Sequence, residues 1–189
     1  MVSMGVVLKA ENPKMFLKAR IGGGVTSFVY KDTEITRDYF ATISGGFGFR
    51  VHHEKKMFEV DFDFVRSFIS QSDSALQGDI TLKLNSFQLP INVGFITINK
   101  PVFKHFIYAG IVTSFNIKSI IFFENEKVDV LKPKEIYLIS PTFMLRMGTQ
   151  FDIAMFNFDF HYSIGLNKTV KGNIRTQSHG LVLSAGLVF

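Results

Sequence analysis

Residues 57–68, MFEVDFDFVRSF, alternate Phe58, Val60, Phe62 and Phe64 with Glu59, Asp61 and Asp63. No other stretch narrows the possible folds as much. On a strand, successive side chains point to opposite faces, so the acids share one face and the apolar groups the other. One face therefore needs water or cationic partners, and the other needs a core or lipid. A helix would scatter both sets around its circumference.

The same alternation recurs along the chain and predicts eight strands separated by turn residues. The first covers about Met15 to Val29, with Lys18, Arg20, Gly22, Gly24 and Thr26 on its polar parity. The second, Tyr39 to His52, sets Ile43, Phe47, Phe49 and Val51 against Thr42, Ser44, Gly46, Gly48 and Arg50. The opening stretch is the third. The fourth runs over about Ile80 to Phe95, where Leu82 and Leu84 predict a bulge near Asn85. The fifth is expected at about His105 to Ile117, the sixth at Glu135 to Met147 and the seventh at Phe151 to Ile164. The eighth ends the chain with Leu181, Leu183, Ala185, Leu187 and Phe189 on one parity. HHEKK (52–56), INKPVFK (98–104) and GTQ (148–150) read as short turns. Residues 31–37, 70–79, 118–134 and 165–175 read as longer loops. Short turns at one end and longer loops at the other are the pattern of outer-membrane barrels.

Two barrels share such alternation. A lipocalin-like soluble barrel points its apolar parity inward around a ligand, whereas a membrane barrel points it outward. The polar parity separates them, because it carries Gly22, Gly24, Gly46, Gly48, Gly110 and Gly186 beside Ser44, Ser114, Ser163 and Ser184. A water-facing surface has no need of clustered glycines, but the narrow lumen of an eight-stranded barrel needs small residues beside large ones. The expected fold is thus all-β: an eight-stranded antiparallel transmembrane β-barrel with a filled polar lumen. Lys18, Arg20, Arg50 and Arg146 balance Glu59, Asp61, Asp63 and Asp159 in number, and with His161 they are expected to form an ion-paired lumen. A tight second hairpin would put Arg50 opposite or diagonal to Glu59 and Asp61. Phe47, Phe49, Phe58, Phe62, Phe64, Phe156, Phe158 and Phe160 are expected to form the lipid-facing belt. In place of tryptophan, Phe with Tyr30, Tyr39 and Tyr137 would supply the interfacial girdle. Pro90 and Pro141 fall inside expected strands and call for bulges or slack registers.

Composition agrees. Hydrophobic residues make up 47% of 189, yet no apolar run approaches the roughly 18 residues of a membrane-spanning helix. The absence of cysteine removes disulfides and thiolate metal sites. The net charge of +5 is modest, and no basic stripe interleaved with aromatics suggests nucleic acid. Residues 1–14 are expected to be an extension on the short-turn, periplasmic side, with the barrel over 15–189. Met1 to Ala10 does not read as a secretory signal, so the chain is taken as a mature or trimmed form.

The last strand, GLVLSAGLVF, resembles the final strand of bacterial outer-membrane barrels, which alternates and ends in an aromatic residue. KARIGGGVTSF, FQLPINVGF and FIYAGIVTSF, in that order, resemble strands of the small PorT-like outer-membrane barrels of the Bacteroidota. The resemblance implies an eight-stranded barrel in the bacterial outer membrane. It also implies an insertion-signal role for Leu183, Leu187 and Phe189, and a link in some members to protein secretion. It transfers no catalytic residue.

No constellation points to an enzyme. Asp159 and His161 share a face and could form an acid–base pair, but no nucleophile is tied to them and a structural network is the expectation. No catalytic, cofactor-binding or metal site is expected, and no cofactor. Within residues 118–134, Phe122 and Phe123 are either a strand continuing past the membrane or a contact for a partner protein. The expected partners are outer-membrane lipid and other envelope proteins. The expected function is a non-enzymatic subunit or anchor of an outer-membrane assembly. The alternatives are a stand-alone small pore or surface-binding protein and, less favoured, a soluble lipid-binding barrel.

Overall fold

The structure is a computed structural model and describes residues 12–31, 37–73, 78–123, 126–129, 137–138, 140–167, 170–171 and 175–189. Its strands are β1 (Lys14–Lys31), β2 (Arg37–His53), β3 (Lys56–Asp73), β4 (Gly78–Asn99), β5 (Phe103–Phe123), β6 (Glu126–Asp129), β7 (Tyr137–Leu138), β8 (Thr142–Ile153), β9 (Phe156–Gly165), β10 (Val170–Lys171) and β11 (Arg175–Val188). Eight of them, β1, β2, β3, β4, β5, β8, β9 and β11, pair antiparallel in that circular order, and β11 returns to β1. Every barrel strand thus has two neighbours, which removes the open edge that a lipid environment would leave unsatisfied. The seam is secured to its last residue: Leu17 N–H donates to Phe189 O at 3.0 Å, and Phe189 N–H donates back to Leu17 O at 2.9 Å.

Parity decides which side chains face out. Phe47, Phe49, Phe58, Phe64, Phe156, Phe158 and Phe160 point outward and are exposed, as are Ile21, Val93, Phe95, Ile107 and Leu183. Phe62 is on the same outer face but half-buried, stacked 5.3 Å from Phe47. The other parity is buried, and Arg50, Glu59 and Asp159 are each 0% exposed. A chain that buries its arginines and exposes its phenylalanines is inside-out relative to a water-soluble barrel. Residues Arg66 and Asn85, joined outside the wall by a 2.8 Å hydrogen bond, interrupt the apolar face of β3 and β4 toward the loop end.

Several boundaries differ from the sequence reading. The turn expected at 148–150 lies at Ala154–Met155, so Gly148, Thr149 and Gln150 belong to β8 and β9 starts only at Phe156. The sequence offers Gly-Thr-Gln as the better turn, but alternation continues unbroken through Asp152. Glu54 and Ala154, at φ 52° and 54°, open the two tightest turns. The expected loop after Ile117 is strand: β5 continues through Phe123, paired with β4 on one side and with β6 on the other. Phe122 and Phe123 therefore sit in strand backbone, and their side chains lie outside the described residues, as does that of Tyr30. The bulge expected near Asn85 is present as a register shift between the Asn85–Lys118 and Ser86–Asn116 pairs; its extra residue, Ile117, is on β5, so Leu84 faces the lumen without a parity switch on β4.

Pro90 needs no shifted register. The β3–β4 ladder keeps one register on both sides of a short gap opposite Asp61 and Phe62, where the missing proline donor falls. Pro141 lies just before β8 rather than within a barrel strand. Most of the expected N-terminal extension, residues 1–11, lies outside the described residues.

Candidate functional site

The lumen gathers the chain's buried chemistry and is built in layers. At the short-turn end, inward residues of β3, β4 and β5 bring together Met57, Ile96, Phe106 and Tyr108 as an apolar plug. His52 extends it, its ring 5.1 Å from Phe106 and 4.7 Å from Phe16. The guanidinium of Arg50 lies over the Phe106 ring at 4.7 Å, tying the plug to the charged layer above.

Two arginines organise that charged layer. Arg50 and Glu59 are direct cross-strand partners at the β2–β3 hairpin, so the turn at Glu54–Lys55 places them together. Arg50 Nε donates to Glu59 Oε2 at 2.7 Å and Nη1 to Asp152 Oδ2 at 2.7 Å, and Nη2 donates to Gln150. Lys18 Nζ also lies 2.7 Å from Glu59 Oε2, while Gln150 donates to the other carboxylate oxygen at 3.0 Å. Asn157 completes the cluster by donating to Asp152 at 2.7 Å. One layer further in, Arg20 makes a forked contact with Asp63 at 2.5 and 3.2 Å and reaches Asp61 at 3.0 Å and Asp159 at 3.3 Å. Asp159 also accepts from Tyr108 at 2.6 Å and pairs with His161 at 3.0 Å. Its oxygens are thus shared among Arg20, Tyr108 and His161.

The space for these side chains comes from glycines on adjacent strands. Gly48 is paired with Asp61, Gly46 with Asp63 and Gly186 with Arg20. A methyl group at Gly48 would lie 2.8 Å from Val60 O as well as against the Asp61 carboxylate. Small opposite large is what lets an eight-stranded barrel fill its interior.

Towards the loop end the packing opens. A cavity of about 90 Å³ is lined by hydroxyls, including Thr42, Ser67, Ser114, Thr142 and Ser163, above a floor of Arg20, Asp63, Arg146 and His161. Arg146 is 2% exposed yet among the described residues has only a 3.4 Å hydrogen bond to Gln88 and a 3.8 Å approach to Asp63. Its Nε and Nη1 make no hydrogen bond among the described residues.

All nine residues expected in the lumen are there, namely Lys18, Arg20, Arg50, Glu59, Asp61, Asp63, Arg146, Asp159 and His161. Asp61 pairs with Arg20 and not with Arg50. The expected numerical balance is corrected: Asp152 is a fifth buried acid, hidden from the sequence reading by the misplaced turn that also hid Gln150. The apolar plug was also missed, because Met57 and Phe106 look like any other belt residue until the inward parity is followed to the strand end.

No family model matches the chain, nor does any curated protein. Among solved structures, Neisserial surface protein A (NspA) aligns with a TM-score of 0.54 at 10% identity, covering 94% of this chain and 99% of that one. The fold is that of an outer-membrane barrel. Ail, the attachment invasion locus protein of Yersinia pestis, aligns at 14% identity over 91% of this chain and 98% of its own, with a TM-score of 0.48. At such identities the likeness speaks for architecture alone.

Proposed function

We propose that this protein is a non-enzymatic barrel of the bacterial outer membrane that anchors an envelope protein assembly. The observation that carries the reading is a lopsided wall above a filled lumen. β4 and β5 are 22 and 21 residues long, whereas β9 has 10. About 9–11 residues suffice for a strand to cross a bilayer. Beyond Arg66 and Asn85, β3, β4 and β5 continue for several more residues and are joined by β6. At about 3.3 Å per residue this wall runs roughly 20 Å along its strands past Arg66 and Asn85. β6 pairs only with β5 among the described residues, so its outer edge offers backbone groups to a further strand.

The lumen supports an anchor over a pore, because the plug and ion pairs occupy the conduction path. The resemblance to PorT-like barrels favours a role in protein export, and Phe122 and Phe123 on the wall are the proposed partner contact. The outward alternation of Leu183 and Phe189 on the closing strand suits an insertion signal.

Two measurements test this reading. In planar bilayers the refolded protein should give no steady conductance. A photo-reactive amino acid at position 122 or 123 should crosslink to a stoichiometric envelope protein in cells. Steady single-channel conductance would replace the anchor with the pore.

A further inference from the structure

We infer that the short-turn rim of the barrel is a binding surface for anionic phospholipid headgroups. This rests on the membrane reading above and adds a lipid chemistry to one end of the molecule. Lys14, Lys55, Lys56, Lys100 and Lys104 ring this mouth, each at a strand end or in a turn. Glu54 is the only exposed acid on the rim among the described residues; Asp152 turns inward and is occupied by Arg50 and Asn157. The loop end is different, since among the described residues Asp38, Asp73, Asp79, Glu126 and Asp129 are interspersed with its bases. The lumen holds four bases and five acids and does not account for the net charge of +5. Much of the excess positive charge is therefore at one rim.

That rim is at the right depth. Lys14 directly precedes Met15, which is 72% exposed on the outer face, and Lys56 is two residues before outward Phe58. Lys104 lies 5.1 Å over the Phe16 ring, which holds its ammonium at the mouth. Long lysine stems lie along apolar surface while their heads reach the headgroup layer. Several ammonium groups at that layer attract anionic lipid within a Debye length, and salt weakens the attraction. Outside the wall, His105 bridges Thr97 at 2.6 Å and Thr149 at 2.7 Å, a polar band just inside the lysines that suits the same interface.

The test inserts the full chain into nanodiscs of phosphatidylethanolamine containing one-tenth phosphatidylglycerol, and counts the lipids retained on delipidation by native mass spectrometry. Insertion is checked separately by the heat-dependent gel mobility of a folded barrel. The wild type should enrich phosphatidylglycerol at least threefold over the bulk fraction at low salt, and about tenfold higher ionic strength should abolish the enrichment. The variant Lys55→Gln/Lys56→Gln/Lys100→Gln should insert but lose it, while Lys127→Gln/Lys171→Gln at the loop end should keep it. An inserted wild type with no enrichment overturns the inference and leaves the membrane reading intact. Equal losses in the two variants also overturn it, because the attraction would then be diffuse. Failure to insert at all would instead count against the membrane reading.

Discussion

The two halves of the lumen use the same strands but solve different problems. Toward the short turns, every large side chain meets another: Arg50 is held by Glu59, Asp152, Gln150 and Phe106 together. Toward the loops, hydroxyls surround a cavity and Arg146 has only long contacts. Buried charge is tolerable only where geometry repays desolvation, and the lower half holds its charges in close pairs, although His52 Nε2 and Asn92 Oδ1 beside them make no hydrogen bond among the described residues. The upper half lies near water and can leave space, since a polar cavity of about 90 Å³ is roomy enough for water. The lower half seals the barrel; the upper half forms a blind cup beneath the projecting strands.

If that contrast is correct, the largest effect belongs to Arg50. Arg50→Met leaves Glu59 and Asp152 without their shared partner inside the plugged half, an expected loss of about 3–5 kcal/mol. The urea midpoint for unfolding from lipid vesicles reads this directly. Phe106→Ala should come next, at about 3 kcal/mol for the lost packing. It should also remove the ring beneath Arg50 and open the short-turn mouth, giving transient leak currents that the wild type lacks. A Phe106→Ala protein that remains silent in bilayers would mean that the ion-paired layer, and not the apolar plug, is the seal.

Arg146 sharpens the contrast from the other side. Its Nε and Nη1 already lack hydrogen bonds among the described residues, and Nη1 only approaches Asp63 at 3.8 Å, so Arg146→Met should cost less than about 2 kcal/mol, well below Arg50→Met. A cost equal to that of Arg50 would show that the upper half is as tightly organised as the lower.

The same division explains what could be read from the sequence. Parity was legible wherever it was long: the glycines and acids of β2 and β3 carry opposite signals to Phe47, Phe49, Phe58 and Phe64, and only one facing satisfies both. Register was legible at the Arg50–Glu59 hairpin, because a tight turn leaves no freedom. Turn chemistry misled at Gly148-Thr149-Gln150: Gly148 and Gln150 serve the lumen beside Tyr108 and Arg50, and Thr149 bonds His105 on the outer face, so none of them bends the chain. Apolar residues at strand ends gave no signal, since Met57, Ile96 and Phe106 fill the mouth from the parity that elsewhere is polar. The extension of β5 to Phe123 was legible only as one of two readings of Phe122 and Phe123, because once past the membrane alternation no longer has to separate lipid from lumen.

The smallest expected effect is at Ser67. Its hydroxyl lies 2.9 Å from that of Thr42, which in turn lies 2.9 Å from Thr26. Ser67→Ala removes one end of this chain, but Thr42 keeps Thr26 and the cavity is polar enough for water to take the vacated position. The loss should stay within about 1 kcal/mol of the wild-type unfolding free energy, the usual net worth of one neutral hydrogen bond. Measured beside Arg50→Met in the same vesicles, it gives the contrast its widest span. A loss at Ser67 approaching that at Arg50 would mean that the hydroxyls act as one rigid network. The cup would then be held as firmly as the plug, and the division between a sealing half and an open half would fail.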